Sequence, residues 1–397
     1  MRRAAAVLLF ATIACTSSKP PAQPVDENTR RVIEQITAAV EKQPDHAPLI
    51  YVLATYHDRA RDAASVVKWL TRLDELGWEH GVAPDGFRNT NTPAFRAIAA
   101  KLDAREPRVN RARVAFTLAN QRDLIPEGIA FDPVDDVFYV SGIHRRNVLR
   151  VDRNGRATEF ISEARDGMLG GLGVKVDGVR RLLWVISSTT PEMRGWKEGE
   201  NASMLAAYDL RDGKLVRKIE ATPAILNDLT LLADGSLFAT DMGRHKVVRL
   251  APEATSLGVF AENFSFPNGI TVSEDERILY VADFGGITRI DLHDNSRTKL
   301  ESKSLLSGID GLSMHQSELI AIQNAVGKAR VIRIDPEHGH VEILESKNGA
   351  FEIPTTGAVA GDEYFFIANP GLRSFNEDHS MWPMDKLEDP VMLKLAL

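Results

Sequence analysis

The sequence predicts a mainly β protein: a six-bladed β-propeller preceded by a small all-α domain of helical hairpins. Three observations carry that expectation. A β-rich pattern recurs six times, marked at positions 127, 171, 227, 268, 310 and 355, with steps of 44, 56, 41, 42 and 45 residues. A period of about 40–50 residues with four short strands per unit is that of propeller blades. Upstream of the first repeat, apolar residues switch to helical spacing. Between the two regions, Ala112-Arg113-Val114-Ala115-Phe116-Thr117-Leu118 reads as a single strand without a partner of its own.

Met1-Arg2-Arg3 and the apolar run Ala4 to Ala14 have the charged and hydrophobic regions of a bacterial export signal. The run is too short for an ordinary membrane span. Thr12-Ile13-Ala14-Cys15 resembles a bacterial lipobox, with Thr12 where Leu is usual. Residues 1–15 are therefore expected to be a lipoprotein-type signal peptide ending at Cys15. The mature protein would be exported, lipid-anchored at the bacterial cell envelope and facing the periplasm or the outside. The bland alternative is an incidental cysteine in a simple secretory signal or an inner-membrane anchor. Cys15 is the only cysteine, so no intrachain disulfide can staple the fold. Residues 16–25, rich in Ser and Pro, have the composition of a flexible tether.

Residues 26–108 are expected to be α-helical. Val32, Ile33, Ile36 and Val40 recur at i, i+3, i+4 spacing, as do Leu49, Val52, Leu53 and Tyr56. Val66, Val67, Leu70, Leu73 and Leu76 follow, then Phe95, Ile98, Ala99 and Leu102. Four amphipathic helices fit, with Pro44, Pro48, Asp62, Gly77 and Pro93 at the boundaries. The pairing resembles the tetratricopeptide class of helical hairpins, and a protein partner is the role expected of it. His46, His57 and His80 lack metal-ligand spacing and are read as ordinary surface or interface histidines.

Residues 109–397 are assigned to the propeller. Each unit repeats the meander seen most clearly at Phe266 to Val272, Ile278 to Asp283 and Ile287 to Leu292. Blade two carries a long insertion from Thr189 to Ala202, which accounts for its 56-residue step. Propellers avoid an exposed edge by pairing strands from both ends, so Val391-Met392-Leu393-Lys394-Leu395 is expected to meet the strand at 112–118.

Residues near the start of each innermost strand converge at one end of the tunnel. Those are Glu127, Asn227, Asn268 and Asp310, with Gly171 and Thr355 or Thr356 completing the ring. Two carboxylates and two amides form a set of hard oxygen donors that suits calcium or another divalent cation. Polar residues followed by glycine also serve simply as turn formers. The change of residue type from blade to blade favours an asymmetric ligand site over a structural repeat.

The motifs Pro126-Glu127-Gly128, Asn227-Asp228, Pro267-Asn268-Gly269 and Asp310-Gly311 resemble those of the senescence marker protein 30, gluconolactonase and paraoxonase group. That group consists of calcium-dependent six-bladed propellers. The resemblance implies that Glu127, Asn227, Asn268 and Asp310 are metal ligands and that the reaction is hydrolysis of a lactone or ester. It also implies a carboxylate that activates water, with Asp310 the first candidate and Asp228 the reserve. Two positions depart from the pattern. Ile225 stands where the sugar-lactonase branch has arginine, and Gly170-Gly171-Leu172-Gly173 stands where the paraoxonase branch has histidine. His144, His245 and His315 are read as surface-loop or core histidines.

A net charge of −7 and no basic stripe argue against nucleic acid as a partner. The function expected is therefore an exported, metal-dependent hydrolase of a small-molecule lactone or ester, touching the membrane only through its N-terminal lipid anchor. The alternative is a non-catalytic propeller acting as a binding module or scaffold at the cell envelope.

Overall fold

The structure, a computed structural model, describes residues 27–397 except 84, 85 and 377. The expectations for the signal peptide, for Cys15 and for the tether lie outside the described residues. The described chain forms two compact units, one of residues 27–109 with Ala325–Ala329, the other of Asn110–Asn324 and Arg330–Leu397.

The first unit holds α1 (Glu27–Lys42), α2 (Ala47–Arg59), α3 (Ala63–Glu75) and α4 (Pro93–Arg105). Several of the boundaries have a chemical cause. His46 Nδ1, Asp62 Oδ1 and Thr92 Oγ1 accept from the amides of Leu49, Ser65 and Phe95, satisfying donors that a first helical turn leaves open. Pro48 and Pro93 occupy first-turn positions, where a missing amide costs nothing. Gly77 follows α3 with φ of 77°, a conformation that ends helices and that glycine adopts without strain. Val66, Leu70 and Leu73, spaced along one face of α3, are fully buried. Tyr51 stacks on Trp78 at 5.4 Å and meets Phe87 edge-on at 5.8 Å.

The histidines of this unit are structural. His46 caps α2, and His57 pairs with Asp62 at 3.2 Å. His80, read with the others as a surface or interface histidine, is buried, with its ring 4.9 Å from that of Trp78.

The second unit is a six-bladed propeller, each blade a four-stranded antiparallel sheet. Its inner strands are Pro126–Asp132, Gly170–Asp177, Leu226–Leu231, Ile270–Val272, Ile309–His315 and Gly357–Ala360. The last blade is built from both ends of the unit. Arg113–Thr117 pairs antiparallel with Val391–Ala396, placing Val114 opposite Leu393 and Phe116 opposite Met392. Phe116 and Phe365 of that blade pack on Phe138 of blade one, at 5.8 and 4.7 Å between ring centroids. The ring is thus sealed by an aromatic cluster as well as by a ladder.

Four of the six inner strands are irregular where they begin. Register shifts fall between Pro126 and Ile129, Gly171 and Val174, Leu226 and Leu229, and Ile309 and Leu312. A bulge opposes two residues to one and re-aims a side chain out of the pleat. These shifts coincide with Glu127-Gly128, Leu172-Gly173, Asn227-Asp228 and Asp310-Gly311, so the polar residues at the head of these strands sit on bulges.

Candidate functional site

Neighbouring blades are latched to one another around the tunnel mouth. Ser141 Oγ donates to the Leu172 carbonyl at 2.5 Å, Ser188 Oγ to Leu226 at 2.7 Å and Thr240 Oγ1 to Asn268 at 2.8 Å. The Gly311 amide donates to the Thr355 carbonyl at 3.0 Å, and the hydroxyls of Thr355 and Thr356 donate to the Glu127 carbonyl at 3.0 and 2.5 Å. Inner strands approach so closely that side chains are excluded at Gly128, Gly173, Gly269 and Gly311. A Cβ at Gly269 would lie 2.2 Å from the Asp310 carbonyl oxygen, and one at Gly173 would lie 2.8 Å from that of Asn227. Thr355 and Thr356, expected in the ring, spend their hydroxyls on these latches, and blade two contributes only the backbone of Gly171.

Glu127, Asn227, Asn268 and Asp310 all fall at the inner-strand heads. Glu127 and Asn227 are buried, whereas Asn268 and Asp310 keep partial exposure. Glu127 Oε2, Asn227 Oδ1 and Asn268 Oδ1 are buried acceptors that no donor of the described residues reaches. Buried oxygens left this way cost roughly 1–3 kcal/mol each, so three at one mouth require an explanation. Burial, with the charges of Asp310 and Asp228 added, pushes the Glu127 carboxyl well above its ordinary range.

Asp310 Oδ2 accepts from Asn324 Nδ2 at 2.5 Å, and the same amide donates to the Pro354 carbonyl at 2.9 Å. Burial pushes the Asp310 carboxyl up to about 7; hydrogen bonds from Asn324 and Asn268 oppose that rise, and the charge of Asp228 adds to it. Asp228 is held differently. Its Oδ1 accepts from the Leu229 amide at 2.8 Å and its Oδ2 from the Ile270 amide at 3.4 Å. Burial raises its carboxyl too, offset by Lys175 and by those two amides. Both Asp228 oxygens are therefore committed to backbone, whereas Asp310 meets side chains only.

The tunnel beyond the ring is lined by Gly128, Gly173, Lys175, Asp228, Gly311 and Gly357, among others. Among the described residues, no three His, Cys, Asp or Glu side chains gather closely enough to hold a metal by themselves. A cation at this mouth would need the amide oxygens of Asn227 and Asn268. Those are two of the three orphaned acceptors, and a donor set of carboxylates and amides fits a hard divalent cation.

Sequence reasoning missed Asn324 and Lys175. Asn324 follows the second strand of blade five, Glu318–Gln323. The latch residues Ser141, Ser188 and Thr240 lie near the same strand ends of blades one to three, but the ladder register matches Asn324 to Ile143, Thr189 and Met242, so no recurring polar position marked it. The other histidines stay out of the ring: His144 Nδ1 lies 2.8 Å from the Glu192 carbonyl, and His245 packs edge-on against Phe266 at 4.7 Å.

The profile of the SMP-30/Gluconolactonase/LRE-like region matches residues 197–364. That region takes in Asn227, Asp228, Asn268, Asp310 and Asn324, while Glu127 lies before it. A gluconolactonase from Xanthomonas campestris is similar in structure, with a TM-score of 0.51 and 19% identity over 73% of this chain and 97% of that one. The likeness establishes the propeller fold that the two share. Looser matches are a nidogen/laminin complex, with a TM-score of 0.47 and 16% identity over 58% of this chain and 85% of the other. A virginiamycin B lyase from Staphylococcus aureus gives 0.48 and 14% identity over 72% and 99%. No curated protein matches the sequence.

Proposed function

We propose that the protein is an exported hydrolase of a lactone or ester, dependent on calcium or another divalent cation, with its site at the tunnel mouth. The observation that carries this reading is the set of orphaned acceptors, Glu127 Oε2, Asn227 Oδ1 and Asn268 Oδ1, gathered at inner-strand heads that resemble a hydrolase family's ligand motifs. Glu127, Asn227, Asn268 and Asp310 would hold the cation. Bound there, it would polarise the substrate carbonyl and stabilise the oxyanion that forms.

The chain's own groups supply the rest. Asp310, with one oxygen held by Asn324, is placed to take a proton from the attacking water and return it to the leaving alkoxide. Its carboxyl, raised toward neutrality by burial, is a stronger base than an exposed aspartate. Asp228 acts as a positioning residue: by accepting from Leu229 and Ile270 it fixes the bulge that aims Asn227 and ties blade three to blade four.

The test is a panel of lactones and aryl esters assayed in chelator and after calcium is restored, alongside calcium titration by calorimetry. Hydrolysis that disappears with chelation and returns with calcium supports the reading. No calcium binding by the wild type, with Glu127→Gln indistinguishable from it, would sink it and leave a binding module at the cell envelope.

A further inference from the structure

The chain enters each inner strand from the mouth, so residues just before the ring positions form its rim. Two places before each ring residue stand Ile125, Leu169, Ile225, Phe266, Gly308 and Ile353. No member of this collar carries a hydrogen-bonding side chain. Leu169, Ile225, Phe266 and Ile353 are half-buried, leaving apolar surface accessible around the opening.

The collar is held in place at a cost. Ile125 and Phe266, in blades one and four, have φ of 51° and 53°. That left-handed region is unfavourable for a β-branched or bulky residue and persists only where the surroundings impose it. Phe266 is braced by the His245 ring, and the Met242-Gly243 turn closes on Ile225, whose Cγ1 would lie 3.1 Å from a Cβ at Gly243. From the blade-two insertion, the half-buried Trp196 adds an aromatic wall and packs on the cluster that contains Ile125. The cations nearby are engaged elsewhere: Arg145 pairs with Asp123, and Arg194 with Asp123 and Glu163.

A polyhydroxylated ring seated against these collar residues would find no hydrogen-bonding side chain among them, which disfavours it there. An alkyl or aryl substituent would instead remove apolar surface from water. We infer that the mouth selects a lactone or ester bearing an apolar arm, seated against Ile225, Phe266 and Trp196, over a polyhydroxylated sugar lactone. This rests on the hydrolase reading and names its substrate class.

The experiment uses the full chain with saturating calcium. Six-membered lactones with methyl, propyl and pentyl arms are compared with glucono-δ-lactone, and binding of the corresponding pentyl lactam and bare lactam, which are not hydrolysed, is measured by calorimetry. The expected result is a kcat/KM that rises about fourfold per added methylene. Ile225→Gln and Phe266→Ala should flatten that slope while Phe266→Leu keeps it; a slope is insensitive to the fraction of folded protein. Hydrolysis that is independent of chain length, or best with glucono-δ-lactone, overturns the collar and leaves the hydrolase intact. If no lactone is hydrolysed, the lactams decide. Tenfold tighter binding of the pentyl lactam sustains the collar while the hydrolase reading falls, and equal or undetectable binding overturns the collar as well.

Discussion

Asn324 donates one amide hydrogen to Asp310 at 2.5 Å and another to the Pro354 carbonyl at 2.9 Å, so a single side chain joins the carboxylate of blade five to the chain entering blade six. The bond to Asp310 opposes the rise that burial imposes on that carboxyl. Asn324→Ala should therefore raise the apparent pKa of the acid limb in kcat/KM. Loss of a hydrogen bond to a charged group should lower activity at pH 7 by roughly ten- to a hundredfold. A pH profile decides it: lower activity with an unmoved acid limb would mean that Asn324 acts on something other than Asp310.

Asp310 and Asp228 should separate under the same change. Asp310→Asn keeps an oxygen donor but removes the proton acceptor, so calcium binding should survive while turnover falls by roughly a hundred- to ten-thousandfold. Asp228→Asn instead turns an amide NH2 toward a backbone N–H and should cost about 1–3 kcal/mol of stability. Calorimetry, thermal melting and turnover on both variants test the division. Near-wild-type turnover in Asp310→Asn would move the base to Asp228.

Calcium removal should make stability fall with rising pH. The Asp310 carboxyl lies near 7 in the folded chain against about 3.9 in an unfolded one, so folding favours its protonated form. Its contribution is complete below about pH 4 and is lost as pH climbs through 7. The raised Glu127 carboxyl acts in the same direction. Melting temperatures from pH 5 to 8 in chelator should decline, less steeply in Asp310→Asn, and saturating calcium should remove most of the decline. A decline unaffected by calcium would place the cation elsewhere.

Cys15 carries the anchoring proposal. Cys15→Ser should leave an unlipidated precursor, read by mass spectrometry of the mature N-terminus. A wild-type protein that is unmodified and begins at another residue would remove the anchor.

The propeller was legible because each blade writes its own repeat: the ring positions recur at steps of 41 to 56 residues, each at the head of a β-rich run. Closure was legible from the strand at 112–118, which had no local partner. The bulges at Glu127, Asn227 and Asp310 were not, because a register shift depends on which carbonyl meets which amide across the ladder, and side-chain patterning is silent on that. Asn324 was hidden for a related reason. Its partner Asp310 is on the neighbouring strand, so the pair becomes visible only once the hairpin between them is formed.

The pairing of Arg113–Thr117 with Val391–Ala396 also governs the order of assembly. During synthesis the first of these strands must wait, with a ladder edge unfilled, until five further blades have been made and the second emerges. Joining segments so distant along the chain is slow, since the entropy of closing the loop is lost before the contacts repay it. Ring closure is thus a single late event, and the newly made chain passes through an open, edge-exposed intermediate that a holding chaperone would be expected to recognise.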